Sequence, residues 1–444
     1  MELNIPEYVD RIIDKLEANG FSAYIVGGSV RDILIGKKPS DFDITTDALP
    51  DEIEEVFKEY KTLEVGKQFG TIVVVQDEGI VEVTTFRADG EYKDGRRPEE
   101  VYFSKNITDD LSRRDFTINS MAYNKKTVII DYFQGKGDLK KRQIKTVGDP
   151  KERFSEDYLR IMRALRFASQ LEFSIEDSTF EACKLYSEYI SNVSIERIRE
   201  EFFKILLCKI PSNGIRLMKD TDILPIVLPE MIDTVGFNQH NPHHDKDVFE
   251  HIMCVLDNTK PILELRLAAL FHDIGKPHTL TIDEKGIGHF YNHDKVGAKI
   301  AEKILKRLKA PSELVETVRL LIYKHMTQHA NLGEKGLKRL LSNLGEDRIF
   351  ILLELNKADR TCSNKDADIT DLIQREEKVK KIIENKEAYE KKHLTINGHD
   401  VIKLGYKEGK QVGEILNYLL EKVLENPELN DREKLIEIIE KKFK

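Results

Sequence analysis

The 444-residue sequence has no tryptophan, no closely spaced pair of cysteines and no long apolar run. A membrane-spanning helix needs roughly 18 apolar residues, and no stretch approaches that length. The N-terminus also lacks the basic and then apolar order of a signal peptide. We therefore expect a cytoplasmic protein without a membrane partner. The scattered cysteines predict free, buried thiols in a reducing compartment, namely Cys183, Cys208, Cys254 and Cys362.

An excess of positive charge is also absent. Lys and Arg number 70 against 79 Asp and Glu, which gives a formal net charge of -9. Taken alone, this acidic balance argues against a nucleic-acid partner. The hydrophobic content of 40% suffices for packed cores, and the length predicts about two to four domains. The sequence leaves the oligomeric state open.

Strand patterns are concentrated in residues 1–149, and almost everything from residue 150 onward has helical periodicity. Short apolar or alternating runs predict strands at Tyr24–Val26, Ile72–Val75, Val81–Thr85 and Val128–Asp131. Amphipathic runs predict helices at Pro6–Ala18, Asp51–Lys58, Phe154–Gln170 and Glu196–Leu207. We interpret the chain as an α/β (α+β) head, a helical neck, a histidine-rich domain and a helical tail, over residues 1–149, 150–235, 236–365 and 366–444.

The first chemical motif is a glycine turn followed by two spaced carboxylates. Gly27, Gly28 and Ser29 follow a predicted strand and open a short helix, which lets backbone amides face a phosphate. Asp41 and Asp43 are two residues apart on a predicted strand, so both carboxylates lie on one face. Two adjacent carboxylates repel unless a cation lies between them, and Mg²⁺ prefers carboxylates together with substrate phosphates. Glu82 is a candidate third carboxylate from a neighbouring strand.

The order of these motifs carries a family resemblance. Gly-Gly-Ser, then Arg31-Asp32, then Asp41-x-Asp43 resembles the nucleotidyltransferase superfamily that includes DNA polymerase beta. The fuller form, GGSVRD followed by DFDITT, is similar to tRNA CCA-adding enzymes and bacterial poly(A) polymerases. The resemblance implies tRNA, CTP and ATP as partners, Mg²⁺ in the head, and nucleotide binding by Gly28, Ser29 and Arg31.

Two further motifs match the same family. RRDFTINSMA, from Arg113, resembles the segment that binds the nucleotide sugar and phosphates, which implies this role for Arg114, Asp115 and Asn119. EDYLRIMRALRF, from Glu156, resembles the amino-acid template of class II CCA-adding enzymes. A carboxylate acceptor beside a guanidinium donor pairs with C and A and mismatches U and G. The residues implied in nucleotide binding by this helix are Asp157, Arg160, Arg163 and Arg166.

Residues 85–101 resemble the loop of family members that add the terminal A, whereas members restricted to adding CC lack its pattern. The basic block typical of poly(A) polymerases is missing after Gly66. These features favour full CCA addition or A-only addition.

Three alternative functions remain, namely a poly(A) polymerase, a hydrolase with a vestigial head and a non-catalytic RNA-binding protein. The tail resembles the family segment that holds the tRNA elbow.

The middle of the chain predicts a second metal site. His272-Asp273 lies in an apolar helix, where buried polar groups are costly unless a partner such as a metal satisfies them. The order of histidines and aspartates resembles the HD phosphohydrolase superfamily, which implies His251, His272, Asp273 and Asp359 as ligands, with His293 and His325 as further candidates. These donors suit several divalent metals, and the sequence does not choose among them. The pattern fits two alternatives, an HD domain that hydrolyses phosphoesters and an HD domain retained only as a scaffold.

Overall fold

The computed structural model describes residues 3–89, 101–240, 246–363 and 367–443. Residues 1–229 and 230–444 form two compact units. The first contains the predicted head and the predicted neck up to residue 229, and the second contains the last residues of the neck, the histidine-rich part and the tail. The division into four domains therefore stays an interpretation. None of the helices in the described residues is long and apolar enough to cross a membrane.

The first unit is built on one mixed sheet of seven strands. Its order is β3-β4-β5-β2-β1-β8-β9, and β2 and β5 run parallel while the other neighbouring pairs run antiparallel. The strands of this sheet are β1 Ala23–Val26, β2 Asp43–Thr46, β3 Lys61–Gly66, β4 Thr71–Gln76, β5 Gly79–Thr85, β8 Ala122–Asn124 and β9 Val128–Ile130. Short pairs complete the unit, namely β6 Arg87–Asp89 with β7 Val101–Phe103, and β10 Gln143–Ile144 with β11 Ser174–Ile175.

Helices surround this sheet and form the remainder of the first unit. The helix α1 begins after Pro6 and buries its apolar residues at the i, i+3, i+4 and i+7 positions that a helical face requires. The helices are α1 Glu7–Ala18, α2 Gly28–Leu34, α3 Pro50–Val56, α4 Ile107–Ser112, α5 Gly135–Lys141, α6 Pro150–Glu156, α7 Leu159–Leu171, α8 Asp177–Leu185, α9 Ile195–Leu206, α10 Pro211–Asp220 and α11 Leu224–Val227.

The single helix expected over Phe154–Gln170 is wrong, because the chain breaks between α6 and α7. Asp157 has an extended backbone, with φ -151° and ψ 103°. Its carboxylate accepts from the backbone N–H of Leu159 at 3.1 Å, and its carbonyl accepts from the N–H of Arg160 at 3.0 Å. An aspartate that satisfies the free amides of a helix start stabilises a new helix rather than the continuation of the old one. Asp157 therefore precedes α7 instead of lying on its face.

The second unit is almost entirely helical. One hairpin of β12 Leu280–Ile282 and β13 Gly288–Phe290 interrupts the helices. The helices are α12 Val248–Asp257, α13 Leu263–Phe271, α14 His293–Arg307, α15 Ser312–Lys324, α16 Glu334–Leu344, α17 Glu346–Ser363, α18 Thr370–Glu384, α19 Gly398–Lys403, α20 Lys410–Glu425 and α21 Arg432–Phe443. The largely all-α character expected after residue 150 is confirmed.

Candidate functional site

The glycine turn lies between β1 and α2 and requires a residue without a side chain. Gly27 has φ 74°, a conformation that L side chains rarely adopt. A Cβ there would lie 3.0 Å from Arg114 Nη1 and 4.0 Å from Asp43 Oδ2. The turn thus lets the arginine and the carboxylate approach the backbone. Ser29 is buried, and its hydroxyl donates to the Val26 carbonyl at 3.0 Å, so it closes the turn.

The predicted carboxylates come together at the edge of the sheet. Asp43 begins β2 and pairs in register with Glu82 on the parallel strand β5, while Asp41 precedes β2. The neighbouring Phe42 and Ile44 are buried, as expected. Surrounding protein and the charges of Asp41 and Glu82 raise the pKa of Asp43 to about 6, although Arg114 opposes this effect. Accumulated negative charge of this kind fits a divalent cation, which would relieve the repulsion.

The raised pKa of Asp43 predicts a pH dependence. A cation binds the ionised carboxylate, so protons compete with it at and below pH 6. We expect the divalent-cation concentration that half-saturates this site to rise up to ~10-fold for each pH unit below about 6, and to level off above pH 7. Cation titrations of the protein from pH 5 to 8, with Mg²⁺ as the probe, check this. A half-saturating concentration that is equal at pH 5 and pH 7 would contradict the assignment of Asp43 as a ligand.

A hydrogen-bond network joins the glycine turn to the second and third motifs. Arg31 Nη1 donates to Asn119 Oδ1 at 2.7 Å, and Asn119 Nδ2 donates to Asp115 Oδ1 at 3.1 Å. Arg163 then donates to Asp115 Oδ2 from Nε at 2.7 Å. Burial would raise the pKa of Asp115, but the charge of Arg163 and the hydrogen bonds from Asn119 and Arg163 lower it to about 2. Asp115 is therefore ionised and fixes the orientation of both partners.

Asp110 is a site-supporting residue that the sequence reasoning missed. It is fully buried and accepts from Arg113 Nη2 at 2.6 Å and from Arg114 Nη2 at 3.0 Å. Its spacing of three and four residues before the two arginines is the signal that could have revealed it. Arg114 Nε is buried and has no partner among the described residues. This unpaired donor fits an anionic ligand such as a phosphate.

The two template residues reach the cavity from the break between α6 and α7, which contains Asp157, and from the first turn of α7, which contains Arg160. Asp157 forms an ion pair with Arg197 of α9, at 2.7 Å between Oδ2 and Nη2. Arg160 donates to the side chain of Glu156 and to the Arg113 carbonyl, the latter at 3.3 Å. Arg197 is a second residue that sequence reasoning missed, because one arginine in an amphipathic helix carries no distinguishing pattern.

These side chains line one cavity of about 540 Å³. A volume of this order is typical of a small-molecule site. Six of the lining residues are arginines and four are aspartates, so the wall suits a polyanion accompanied by a cation. The lining residues are Gly27, Gly28, Arg31, Asp41, Asp43, Arg113, Arg114, Asp115, Asn119, Asp157, Leu159, Arg160, Arg163, Phe167 and Arg197.

Three of the residues predicted from the head and neck motifs lie outside that lining, namely Ser29, Glu82 and Arg166. Arg166 is buried and pairs with Glu201, and its guanidinium lies over the Phe167 ring at 3.9 Å. Glu82 influences the pKa of Asp43 from the neighbouring strand. The remaining head and neck candidates are brought together.

In the second unit, the six predicted metal ligands converge from five separate segments. His272 Nε2 lies 3.3 Å from His251 Nε2, and His251 Nε2 lies 3.0 Å from Asp359 Oδ1. His293 Nε2 lies 3.1 Å from His325 Nε2. Ligand atoms about 2.1 Å from one metal ion are about 3.0 to 3.4 Å apart, so these separations fit donors that share an ion.

Asp273 joins the two histidine pairs. Its Oδ2 lies 3.3 Å from His272 and 3.5 Å from His251, whereas its Oδ1 lies 3.4 Å from His293. The same carboxylate thus belongs to two groups of donors. A Cβ at Gly275 would lie 2.3 Å from the His293 backbone oxygen, so a glycine there lets α14 bring His293 to the aspartate.

Backbone carbonyls orient the imidazoles. The Nδ1 atoms of His272, His293 and His325 contact the carbonyls of residues 269, 290 and 322 at 2.8, 2.7 and 2.6 Å, which directs each Nε2 inward. Burial lowers the pKa of His325 to about 4, aided by the neighbouring histidines, so this ring is a neutral donor. Burial opposes protonation of His272 too, but Asp273 and Asp359 raise its pKa to about 9. A metal ion bound here would displace that proton.

A cavity of about 480 Å³ opens onto this cluster. Lys276 lies three residues after Asp273 and contacts its Oδ2 at 2.7 Å, and it also donates to Gln239 at 2.8 Å. Gln328 donates to Asp359. Lys276 and Gln328 were not predicted from the sequence. The i, i+3 spacing of Lys276 from Asp273 was an available signal.

The expectation of four free thiols is wrong for two of the cysteines. Cys254 and Cys362 form a disulfide with a Cα–Cα distance of 5.8 Å, while Cys183 and Cys208 are free and buried. The two partners are 108 residues apart in the chain, so no local pattern reveals their pairing. Each lies three residues after a predicted ligand, His251 or Asp359. The bond therefore joins the two helices that carry those ligands.

Comparisons with known proteins match segments of the chain in both units. Residues 23–145 match the model described as the Poly A polymerase head domain, residues 172–234 the one described as a probable RNA and SrmB-binding site of polymerase A, and residues 246–376 the HD domain. The carboxylate edge, the arginine cavity and the head match together define a nucleotidyltransferase.

The full-length relatives identify the family within that class. The CCA-adding enzyme of Staphylococcus haemolyticus is 36% identical over 98% of this chain and 97% of its own length, and that of Ligilactobacillus salivarius is 34% identical over 98% and 96%. The Bacillus stearothermophilus CCA-adding enzyme, solved in complex with CTP, is 27% identical with a TM-score of 0.74 over 99% of both chains. The chain belongs to the family of CCA-adding enzymes.

Proposed function

We propose that this protein adds C, C and A in turn to the 3′ end of tRNA, using CTP and ATP and no nucleic-acid template. One observation carries the proposal. Asp41 and Asp43, the arginines of the second motif and the Asp157–Arg160 pair line the same cavity. Carboxylates for a cation, donors for phosphates and a donor–acceptor pair for a base are the three requirements of template-free nucleotidyl transfer.

Within this proposal, Asp41 and Asp43 hold Mg²⁺, with Glu82 adjusting their charge. When bound, the ion would lower the pKa of the primer 3′-hydroxyl and neutralise triphosphate oxygens. The unpaired Arg114 Nε and the fixed guanidinium of Arg31 supply donors to the triphosphate. Mg²⁺ is preferred here because the donors are oxygen atoms and the substrate itself brings phosphate ligands.

The sugar and the base contact different groups. Asn119 and Asp115 face the nucleotide sugar through a network that leaves little freedom to either side chain. Asp157 and Arg160 present an acceptor and a donor to the base. Arg197 and Glu156 hold them in place by ion pairs. A prearranged pair of this kind satisfies C and A and leaves polar groups of U and G unpaired.

Arg160→Ala is therefore expected to relax base choice. A site built on hydrogen bonds discriminates by roughly 10⁴, and we expect loss of the Arg160 donors to reduce the preference for CTP over UTP by about 10- to 100-fold. The measurement is kcat/KM for each of the four nucleotides. Lys204→Ala, on the exposed side of α9, is the matched control and should leave the preference unchanged. An unaltered preference in Arg160→Ala removes it from the template role.

Incubation of tRNA lacking CCA with each labelled nucleotide tests the proposal as a whole. We expect incorporation from CTP alone, incorporation from ATP only after CTP has been added, and no product with GTP or UTP. Extension by ATP alone into long products would instead identify a poly(A) polymerase.

We further propose that the second unit hydrolyses phosphoesters. Asp273 is shared by two groups of donors, one with His251 and His272 and the other with His293 and His325, and a cavity opens beside them. This arrangement supports activity over a purely structural role. Nitrogen and carboxylate donors fit a pair of divalent ions, which would activate a water for attack on phosphorus. The tail would contact the tRNA elbow, and the cytoplasm is the compartment that this tRNA reaction implies.

A further inference from the structure

Three tyrosine rings meet next along the chain to Asp157, which lines the nucleotide cavity, and no step described above uses them. Tyr158 directly follows Asp157, while Tyr186 and Tyr189 lie in the turn after α8. The Tyr158 and Tyr189 rings are stacked, with centroids 5.0 Å apart and planes 21° apart. Tyr186 lies 6.1 Å from Tyr158 and 5.7 Å from Tyr189. We refer to these three residues as the tyrosine cluster.

The cluster is placed to be touched by a ligand. Tyr189 is 45% exposed, and its neighbour Leu185 is 58% exposed. Grouped apolar surface on a soluble domain is typical of binding sites when it adjoins polar groups that could orient a partner. Here the polar neighbours are Asp157 and Arg197, which line the cavity. Tyr158 thus follows one lining residue and precedes another, Leu159, and it is stacked on the exposed Tyr189 ring.

The aromatic residue in the cavity lining given above is not available in the same way. Phe167 is buried, and the guanidinium groups of Arg31, Arg163 and Arg166 lie 5.1, 5.3 and 3.9 Å from its centroid. These arginines crowd its ring. The tyrosine cluster therefore offers an exposed aromatic ring, which Phe167 does not.

We propose that Tyr189, supported by Tyr158, is a stacking platform for an unpaired base at the 3′ end of the tRNA primer. The inference rests on the proposed addition to tRNA, and it names a positioning residue for the primer rather than for the incoming nucleotide. Single-stranded RNA ends are commonly held by bases stacked on aromatic side chains. Stacking accepts any base, which suits a primer whose last nucleotide changes at every addition.

The test compares Tyr189→Ala and Tyr189→Phe with the wild type on tRNA lacking CCA. In Tyr189→Ala we expect KM for tRNA to rise about 5- to 150-fold, the factor that stacking of one base is worth. We expect KM for CTP to stay within about 2-fold, which also shows that the cavity is intact. Tyr189→Phe keeps the ring and should behave as the wild type. Tyr132→Ala removes another exposed tyrosine, 56% exposed, as the control.

Equilibrium binding separates this inference from the proposed function. Fluorescence anisotropy of labelled tRNA ending in CC should show about 5- to 150-fold weaker binding by Tyr189→Ala. If the wild type adds no nucleotides, the proposed function is wrong. The comparison of tRNA affinities between the wild type and Tyr189→Ala still tests whether Tyr189 is a stacking platform. Equal tRNA affinity of the wild type and Tyr189→Ala, or an equal loss in Tyr189→Phe, would overturn the stacking role.

Discussion

Asp41→Ala is expected to slow nucleotide addition at least ~10³-fold, because it removes half of the carboxylate pair that holds the cation. The loss should appear in kcat, since a cation that stabilises charge developing in the transition state acts mainly on the chemical step. Binding of tRNA should change little, because the substitution leaves all six arginines of the cavity in place. Steady-state addition of CTP to tRNA lacking CCA measures both quantities.

Asp51→Ala provides the matched control. Asp51 is also an aspartate of the first unit, its side chain is 89% exposed, and it pairs with Lys67 away from the cavity. Its removal should leave addition within about 2-fold, as is usual for surface changes. Phosphoester hydrolysis by the second unit should persist in Asp41→Ala. An Asp41→Ala protein that adds nucleotides at the wild-type rate would contradict the assignment of the nucleotidyltransferase site to the head.

Asp273→Asn is expected to abolish phosphoester hydrolysis and to weaken metal binding in the second unit. Asp273 is the residue whose two oxygens face both histidine pairs. Replacing it by an amide keeps the volume but removes the shared anionic ligand. Loss of a residue that only hydrogen-bonds to a metal ligand lowers metal affinity by ~10- to 100-fold. Because Asp273 is itself a proposed ligand, the affinity for Mn²⁺ should fall by more than this. Calorimetric titration with Mn²⁺ and hydrolysis of p-nitrophenyl phosphate are the two readouts.

Asp294→Asn is the control for this change. Asp294 follows the ligand His293 on α14, so it carries a similar charge near the cluster without belonging to it. It should bind Mn²⁺ as the wild type does, and both variants should add CCA normally. Wild-type Mn²⁺ affinity in Asp273→Asn would show that Asp273 is not a ligand. A wild type that binds Mn²⁺ but hydrolyses nothing would favour the scaffold interpretation.

Much of the head could be predicted because its chemistry depends on short spacings. The strand containing Ile25 follows from a compact apolar run, and the strand beginning at Asp43 follows from the alternation of acidic and apolar residues. Their pairing brings the glycine turn to the carboxylates. The helix break at Asp157 could not be predicted from periodicity, since apolar residues continue on both sides of it. The capping interaction of the Asp157 side chain determines the backbone conformation there and overrides the helical pattern.

Long-range pairing accounts for what the sequence did not reveal. Arg197 reaches Asp157 over 40 residues, and the disulfide joins residues 108 apart. Neither partner carries a local signal. Residues 90–100, most of the loop that favoured addition of the terminal A, lie outside the described residues, so that prediction stays open.

The acidic net charge no longer argues against an RNA substrate. Six arginines of the head and neck line one cavity, where they outnumber the four aspartates, and a cation would offset the carboxylates of Asp41 and Asp43. Elsewhere the basic residues are often paired. Lys335 and Arg339 of α16, for example, form ion pairs with Glu425 and Glu421 of α20. Local arrangement, rather than total charge, determines the partner.

The most direct test of the account uses three forms of one tRNA, ending before CCA, after CC and after CCA. Each is incubated with labelled CTP or labelled ATP. We predict CTP incorporation on the first form, ATP incorporation on the second and no incorporation on the third. Failure to incorporate CTP on the first form, with ATP incorporation on the second, would contradict full CCA addition and identify an A-adding enzyme.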